Sequence, residues 1–343
     1  MGHNSFLSTK HNKYNILFRK NKKIGILITN LGTPDSPTKN GLKKYLNQFL
    51  MDKRVIDFPR FLWIPILKLI ILNTRPKKSA KLYKSIWTEN GSPLLYYSKR
   101  IIKKISEYFG DDISVILGMR YGSPSIKQAM ESLKNKKISN ILILPLYPQA
   151  GSPTTSSTFD AVSDFLRNDP WMPDLRFVSG YHDHDGYINA LADSVDYSFK
   201  KNSIPDQLIF SFHGMPNRYL QKGDPYYFFC HETARLTANK LNLNENSYKI
   251  AFQSRFGYEE WLRPYIDELI IEQAKTGTEY IQVISPGFSV DCLETLEEIN
   301  IQYRELFINN GGKRFEYIRC LNDGKNHIQI IKSIIKSNIK DWK

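Results

Sequence analysis

The sequence predicts an α/β fold in two halves, and three observations carry the prediction. Short β-rich apolar runs alternate with longer helical patterns, the cadence of βαβ units and parallel sheets. Several runs stop in, or soon meet, turn-forming residues: Gly32-Thr33-Pro34, Gly122-Ser123-Pro124, Gly151-Ser152-Pro153 and Pro286-Gly287. The chain is also long, at 343 residues, for one hydrophobic core.

In chain order the runs at 24–31, 114–117, 141–146, 208–212, 248–252 and 280–284 read as strands. A turn-rich stretch at 168–174 interrupts them, and a new strand-like run, 176–180, follows. The boundary is placed there. The expected layout is a basic tail at 1–23, an N-terminal domain at 24–174 with an apolar lip at 58–72, a C-terminal domain at 175–322, and a terminal segment at 323–343. In that last segment Ile328, Ile331, Ile335 and Ile339 recur at helical spacing, as in an amphipathic helix packing back on the body.

Composition narrows the class. With 41% hydrophobic and 24% charged residues the chain can bury a large core, which excludes disorder and fibres. An excess of 48 Lys and Arg over 34 Asp and Glu favours an anionic partner. The bland reading is a lysine-coated surface. No RNP signature, zinc-finger spacing or basic helix interleaved with aromatics is present, so nucleic acid is not an expected partner. Three cysteines, Cys230, Cys292 and Cys320, are odd in number and widely spaced, which fits a reducing cytoplasm. The first 23 residues hold six basic residues and no acid but lack the apolar core of a signal peptide.

The lip is the most apolar segment, although two prolines, Arg60 and Lys68 interrupt it. It falls short of the roughly 20 apolar residues that span a bilayer. Flanked by Lys53, Arg54, Arg75, Lys77 and Lys78, it suits a helical edge dipping into an anionic membrane surface or closing over an apolar ligand. An ordinary buried helix is the other reading.

His213 follows the run 208–212 directly and precedes Gly214-Met215-Pro216, which puts an imidazole at a strand's carboxyl end, where α/β sheets collect ligands. After the run 280–284, Asp291, Glu294 and Glu298 follow at spacings of three and four. On a helix they form one acidic column whose repulsion a cation or mobile protons would relieve. Dipole complementation explains Asp291 and Glu294 better than Glu298. His213 with Glu294 makes a two-donor, open site for a divalent first-row metal in transit. His182 and His184 read as a strand exit, with an Asp capping the next helix. His231 adjoins Cys230 on a helix, His327 opens the terminal helix, and His3 and His11 lie in the tail.

These residues sit in motifs that resemble the ferrochelatase family, over nearly the whole stretch 24–323. They are LGTPDSPT (31–38), YLNQFLMDKRVID (45–57), NGSPLLYYS (90–98), GMRYGSP (118–124), LPLYPQ (144–149), SFHGMP (211–216), FQSRFG (252–257) and PGFSVDCLETLEEI (286–299). The resemblance implies two Rossmann-like domains with parallel sheets flanked by helices, in the chelatase manner. It also implies insertion of Fe2+ into protoporphyrin IX to form protohaem. His213 and Glu294 match the metal and proton-transfer pair, and Glu298 extends the acidic column. The mechanism expected from these residues places Glu298 and Asp291 behind Glu294 as a relay for protons or metal. Leu31, Arg75, Tyr83, Arg120, Tyr147 and Phe288 match positions along the porphyrin cleft. Animal-type relatives carry a second histidine where this chain has Cys292, and a C-terminal cysteine set where it has only Cys320. A bacterial branch without an iron–sulfur cluster is implied, with Fe2+ as substrate and no prosthetic group. Cys292 reads as a small buried hydrophobe or as a soft metal donor.

A porphyrin is an apolar disc with propionates on one edge, so it requires an apolar slot and cationic anchors. Two rival readings accompany this one: a chelatase for another tetrapyrrole, coproporphyrin or sirohydrochlorin, and a non-catalytic porphyrin or haem carrier.

Overall fold

The computed structural model describes residues 23–342. The expected tail, with His3 and His11, lies outside the described residues apart from Lys23. Strands β1 (Ile24–Thr33), β2 (Ile113–Gly122), β3 (Asn140–Pro145) and β4 (Asp174–Phe177) form one sheet in the order β2-β1-β3-β4. Strands β5 (Gln207–His213), β6 (Tyr248–Gln253), β7 (Tyr280–Ile284) and β8 (Arg314–Ile318) form a second, in the order β6-β5-β7-β8. Every strand pair in both sheets is parallel. Each half therefore repeats the same order, which reverses direction between its first and third strands. Such a switch point opens a crevice at the strands' carboxyl ends.

Burial on both faces explains the continuous apolar runs: Ile26, Leu27 and Ile28 of β1 have no exposed surface. At the end of β1 the chain needs a residue without a side chain. Gly32 has φ +103°, and a Cβ there would stand 1.7 Å from the Tyr121 carbonyl oxygen of β2. Helices begin where the sequence supplies caps. Ser125 and Gln128 form a capping box for Ile126–Asn135, and Thr38 caps Lys39–Leu50.

Three expectations change. The run after the turn-rich stretch does not open the second half, because β4 pairs with β3 from Asn140↔Asp174 to Ile143↔Phe177. A boundary at 174/175 thus cuts a strand of the first sheet: the free edge of β3, not the preceding loop, chose its partner. Strand β8 was not anticipated, although Phe315 and Tyr317 alternate with Arg314 and Glu316. The helix Asp185–Asn202 is capped by His184, whose Nδ1 accepts from the Gly186 N–H at 3.1 Å, rather than by an aspartate.

The terminal helix Lys325–Ile339 buries Ile328, Ile331, Ile335 and Ile339. It packs on Asp185–Asn202 and also on Pro93–Phe109 and β3 of the first half. Beyond it Trp342 donates to Asp174 at 3.1 Å, and Arg176 of β4 pairs with Asp341. One apolar core consequently runs through both halves and holds their facing sheet ends in place.

The lip is helical from Arg60–Pro65 through a π-turn, Ile66–Ile71, into Leu72–Ile86. The buried-helix reading fails here. Leu67 is the buried residue of 60–71, whereas Phe61 is 77%, Leu69 72% and Ile70 57% exposed. Trp63 anchors the segment instead, its indole donating to the Leu50 carbonyl at 2.7 Å.

Candidate active site

A cleft, partly open to solvent, lies where the carboxyl ends of the two sheets meet. Its walls come from the switch-point strands of both halves: Asn30 and Leu31 on β1, Leu146 and Tyr147 after β3, His213 and Met215 at the end of β5, and Phe288 after β7. The lining is mainly apolar with a few polar groups, as in small-ligand sites.

His213 is the last residue of β5, and its Nδ1 stands 2.7 Å from the Gly214 carbonyl oxygen. A carbonyl can only accept, so Nδ1 carries the hydrogen and, in the neutral ring, Nε2 keeps the lone pair. Gly214 permits the tight exit: a Cβ there would meet the Gln253 carbonyl oxygen at 2.7 Å. The His213 ring lies 6.4 Å, centroid to centroid, from that of Phe288.

Glu294 opens a ten-residue π-helix, Glu294–Tyr303, a rare geometry that concentrates at functional sites. It lines the same cleft as His213. Cys292 lines it too, but burial and the neighbouring Glu294 carboxylate push its thiol well above the ordinary value, so it stays a protonated, buried group. Glu298 lies behind, half-buried, with each carboxylate oxygen hydrogen-bonded. Tyr303 donates to Oε1 at 2.8 Å, and Gln253 at 3.1 Å and Ser254 donate to Oε2.

Asp291 does not belong to the column. It precedes the π-helix, is fully buried, and accepts from Tyr317 at 2.7 Å and from Arg319 and Asn322 at 2.8 Å. A carboxylate saturated by fixed donors holds β8 and its exit loop to the start of the helix; it is not placed to relay protons or metal. A spacing of three and four shares a face only if a helix spans it, and this helix begins after Asp291.

The residues matched to the porphyrin cleft separate into two groups. Leu31, Tyr147 and Phe288 line it. Tyr83 is packed behind the wall with Tyr45 and Tyr121. Burial, with the Glu294 charge in reach, pushes its phenol well above the ordinary value. Arg120 is already engaged: Nε donates to the Ser157 carbonyl at 2.9 Å and Nη2 pairs with Asp52. Burial alone would raise the Asp52 carboxyl, but the Ser157 hydrogen bond and the Arg120 charge outweigh it and hold it below the ordinary value. Arg75 stands exposed on the lip's last helix, 5.9 Å over the Phe256 ring of the other half. Among the described residues no group of three His, Cys, Asp or Glu side chains is arranged to hold a metal, and His213 and Glu294 both line the cleft.

Sequence reasoning passed over Gln253, Met215 and Tyr226. Gln253 carried a signal, since a polar residue closes the otherwise apolar end of a run that becomes fully buried.

Two parallel α/β halves clasping an apolar cleft at their switch points define a chelatase fold. SirB from Bacillus subtilis with Fe3+ shares it, with a TM-score of 0.53 over 92% of this chain and 97% of that chain at 11% identity. The ferrochelatase family model matches residues 23–339. Ferrochelatase of Pseudoalteromonas atlantica is 47% identical over 324 residues, covering 93% of this chain and 90% of that protein. That of Teredinibacter turnerae is 46% identical over 337 residues, covering 97% and 92%. The chain belongs to the ferrochelatase family.

Proposed function

We propose that this enzyme inserts Fe2+ into protoporphyrin IX, giving protohaem and two protons, as the last step of haem synthesis. Its substrates as a family member are a porphyrin and ferrous iron. The observation that carries the residue assignment is that His213, at the end of β5, and Glu294, opening the π-helix that follows the neighbouring strand β7, line one apolar cleft.

Insertion requires two pyrrole N–H protons to leave a flat macrocycle while the metal enters. His213 Nε2, with its lone pair free, accepts pyrrole protons. Glu294, an oxygen donor lining the same cleft, presents the iron. The apolar walls exclude water, which keeps the charged groups effective at the reacting nitrogens. With Arg120 bound to Asp52, exposed Arg75 is the better propionate anchor. No prosthetic group or iron–sulfur cluster enters this reading; iron is substrate.

The test is anaerobic incubation with protoporphyrin and Fe2+, following the porphyrin absorbance. His213→Ala and Glu294→Gln are each expected to abolish insertion while leaving the fold intact. Near-normal turnover in either variant refutes the assignment, and binding without insertion by the wild type leaves only a carrier.

We further infer that the lip rests on an anionic membrane surface. Residues 39–84 hold 12 of the 48 basic residues and 2 of the 34 acidic ones, so the charge excess is concentrated around the lip rather than spread by composition. Exposed Phe61, Leu69 and Ile70 add the apolar part of an interfacial helix. Among the described residues no helix is long and apolar enough to cross a membrane, so the contact would be peripheral.

A further inference from the structure

Gln253, the last residue of β6, is 1% exposed, and every polar group of its side chain is engaged. Its Oε1 accepts from the Ser211 hydroxyl at 2.8 Å, two residues before His213 on β5. Its Nε2 donates to the Glu294 carbonyl at 2.9 Å and to Glu298 Oε2 at 3.1 Å. Its own backbone carbonyl accepts from the Gly214 N–H at 2.7 Å, one residue after His213. A single residue therefore grips the histidine strand on both sides of His213 and the π-helix at its first residue and one turn on.

We propose that Gln253 is a positioning residue for metal insertion, setting the separation of the His213 imidazole and the Glu294 carboxylate. The inference rests on the pair assigned above and adds what fixes it. An amide suits the position because it offers an acceptor to β5 and two donors to the helix without charge. A carboxylate would lack the donors and repel Glu298. An alkyl chain would leave the Ser211 hydroxyl, the Glu294 carbonyl and part of the Glu298 carboxylate without these partners, although buried polar groups require them. Ser254, at φ +66°, lies in the left-handed region that residues other than glycine rarely adopt, and its hydroxyl also reaches Glu298. Two successive residues at this strand end thus hold one carboxylate. Among the described residues no other side-chain hydrogen bond links the first turn of the π-helix to β5, and a shift of about 1 Å at a reacting group costs on the order of 100-fold in rate.

The experiment compares wild type with Gln253→Met and Gln253→Asn. Protoporphyrin affinity is read from fluorescence quenching, turnover and the Fe2+ KM from anaerobic kinetics, and the fold from circular dichroism and the melting temperature. The expected result for Gln253→Met is a kcat lower by roughly 30- to 100-fold, with porphyrin Kd within about twofold of wild type and a folded spectrum. Gln253→Asn, which cannot reach both elements, is expected to fall between. Combining Gln253→Met with Glu298→Gln should cost less than the product of the single effects, since both act through one contact. A folded Gln253→Met with near-normal kcat overturns the proposal, as does a porphyrin affinity that falls as steeply as kcat, which would mean the cleft as a whole has been lost. If Gln253→Met does not fold, Ser211→Ala removes only the strand-side donor and decides the matter: a several-fold loss of kcat at unchanged porphyrin affinity supports positioning, and unchanged kcat overturns it. Absence of insertion by the wild type would instead sink the functional reading itself.

Discussion

Arg319 donates from Nε to Asp291 at 2.8 Å, and the carboxylate it meets has no exposed surface. Three residues further on, Glu294 lines the cleft. Two acids that look equivalent in sequence therefore have opposite employment. Arg319→Ala leaves a buried charge with only neutral donors and is expected to lower stability by about 3 kcal/mol. Asp291→Ala removes the acceptor of the buried Asn322 amide and of the Tyr317 hydroxyl and should cost about 2–3 kcal/mol. Glu294→Gln should leave the urea midpoint unchanged and abolish insertion. A stable, inactive Asp291→Ala would return that residue to the relay.

The two arginines matched to the porphyrin cleft should part in the same way. Arg120→Ala strands Asp52, whose side chain is 6% exposed, and is expected to cost about 3 kcal/mol with little change in porphyrin KM. Arg75→Ala removes an exposed side chain, so the melting temperature should hold while porphyrin KM rises about tenfold, the worth of one charge-assisted hydrogen bond. Melting curves and porphyrin titrations on the two variants separate these outcomes.

Lip contact with membrane is checked by flotation on vesicles containing anionic phospholipid. Wild type should float, less so as salt is raised. Phe61→Ser with Leu69→Ser, both outward-facing, should stay at the bottom of the gradient with unaltered circular dichroism. Trp63 is a poor choice for this purpose, because its indole holds the segment to Leu50. Equal flotation of wild type and variant would dismiss the contact.

His327 is buried at the foot of the terminal helix, and burial lowers its pKa to about 4. The unfolded chain, with an ordinary value of about 6.5, takes up a proton that the folded protein refuses. Stability is therefore unaffected above pH 6.5, falls as pH drops from there towards 4, and levels below, for a total of about 3 kcal/mol. In His327→Gln the unfolding midpoint should decline less across that window. An identical slope in both proteins would show that other groups govern acid sensitivity.

Much of this architecture was legible because it depends on local period. Strand β7 was placed at its observed ends, β5 and β6 to within one residue of theirs, and the isoleucines of the terminal helix fell on its buried face. His213 was found for the same reason: a polar ring directly after an apolar strand is visible without coordinates. Less was legible where the answer depended on a distant partner. The edge that captured β4 belongs to β3, some 30 residues earlier, and β8 is short and half polar.

From its residues alone, this chain determined which segments must be buried and which chemical groups stand at strand ends, because apolar periodicity and turn chemistry act over a few positions. Tertiary structure decided which of those groups face the cleft. Arg120 is held by Asp52, 68 positions away, and Asp291 by Arg319, 28 away, whereas His213 and Glu294 are left at the cavity wall. A charge removed from water must find a partner, and the partner is chosen by whatever the folded chain brings within hydrogen-bonding distance.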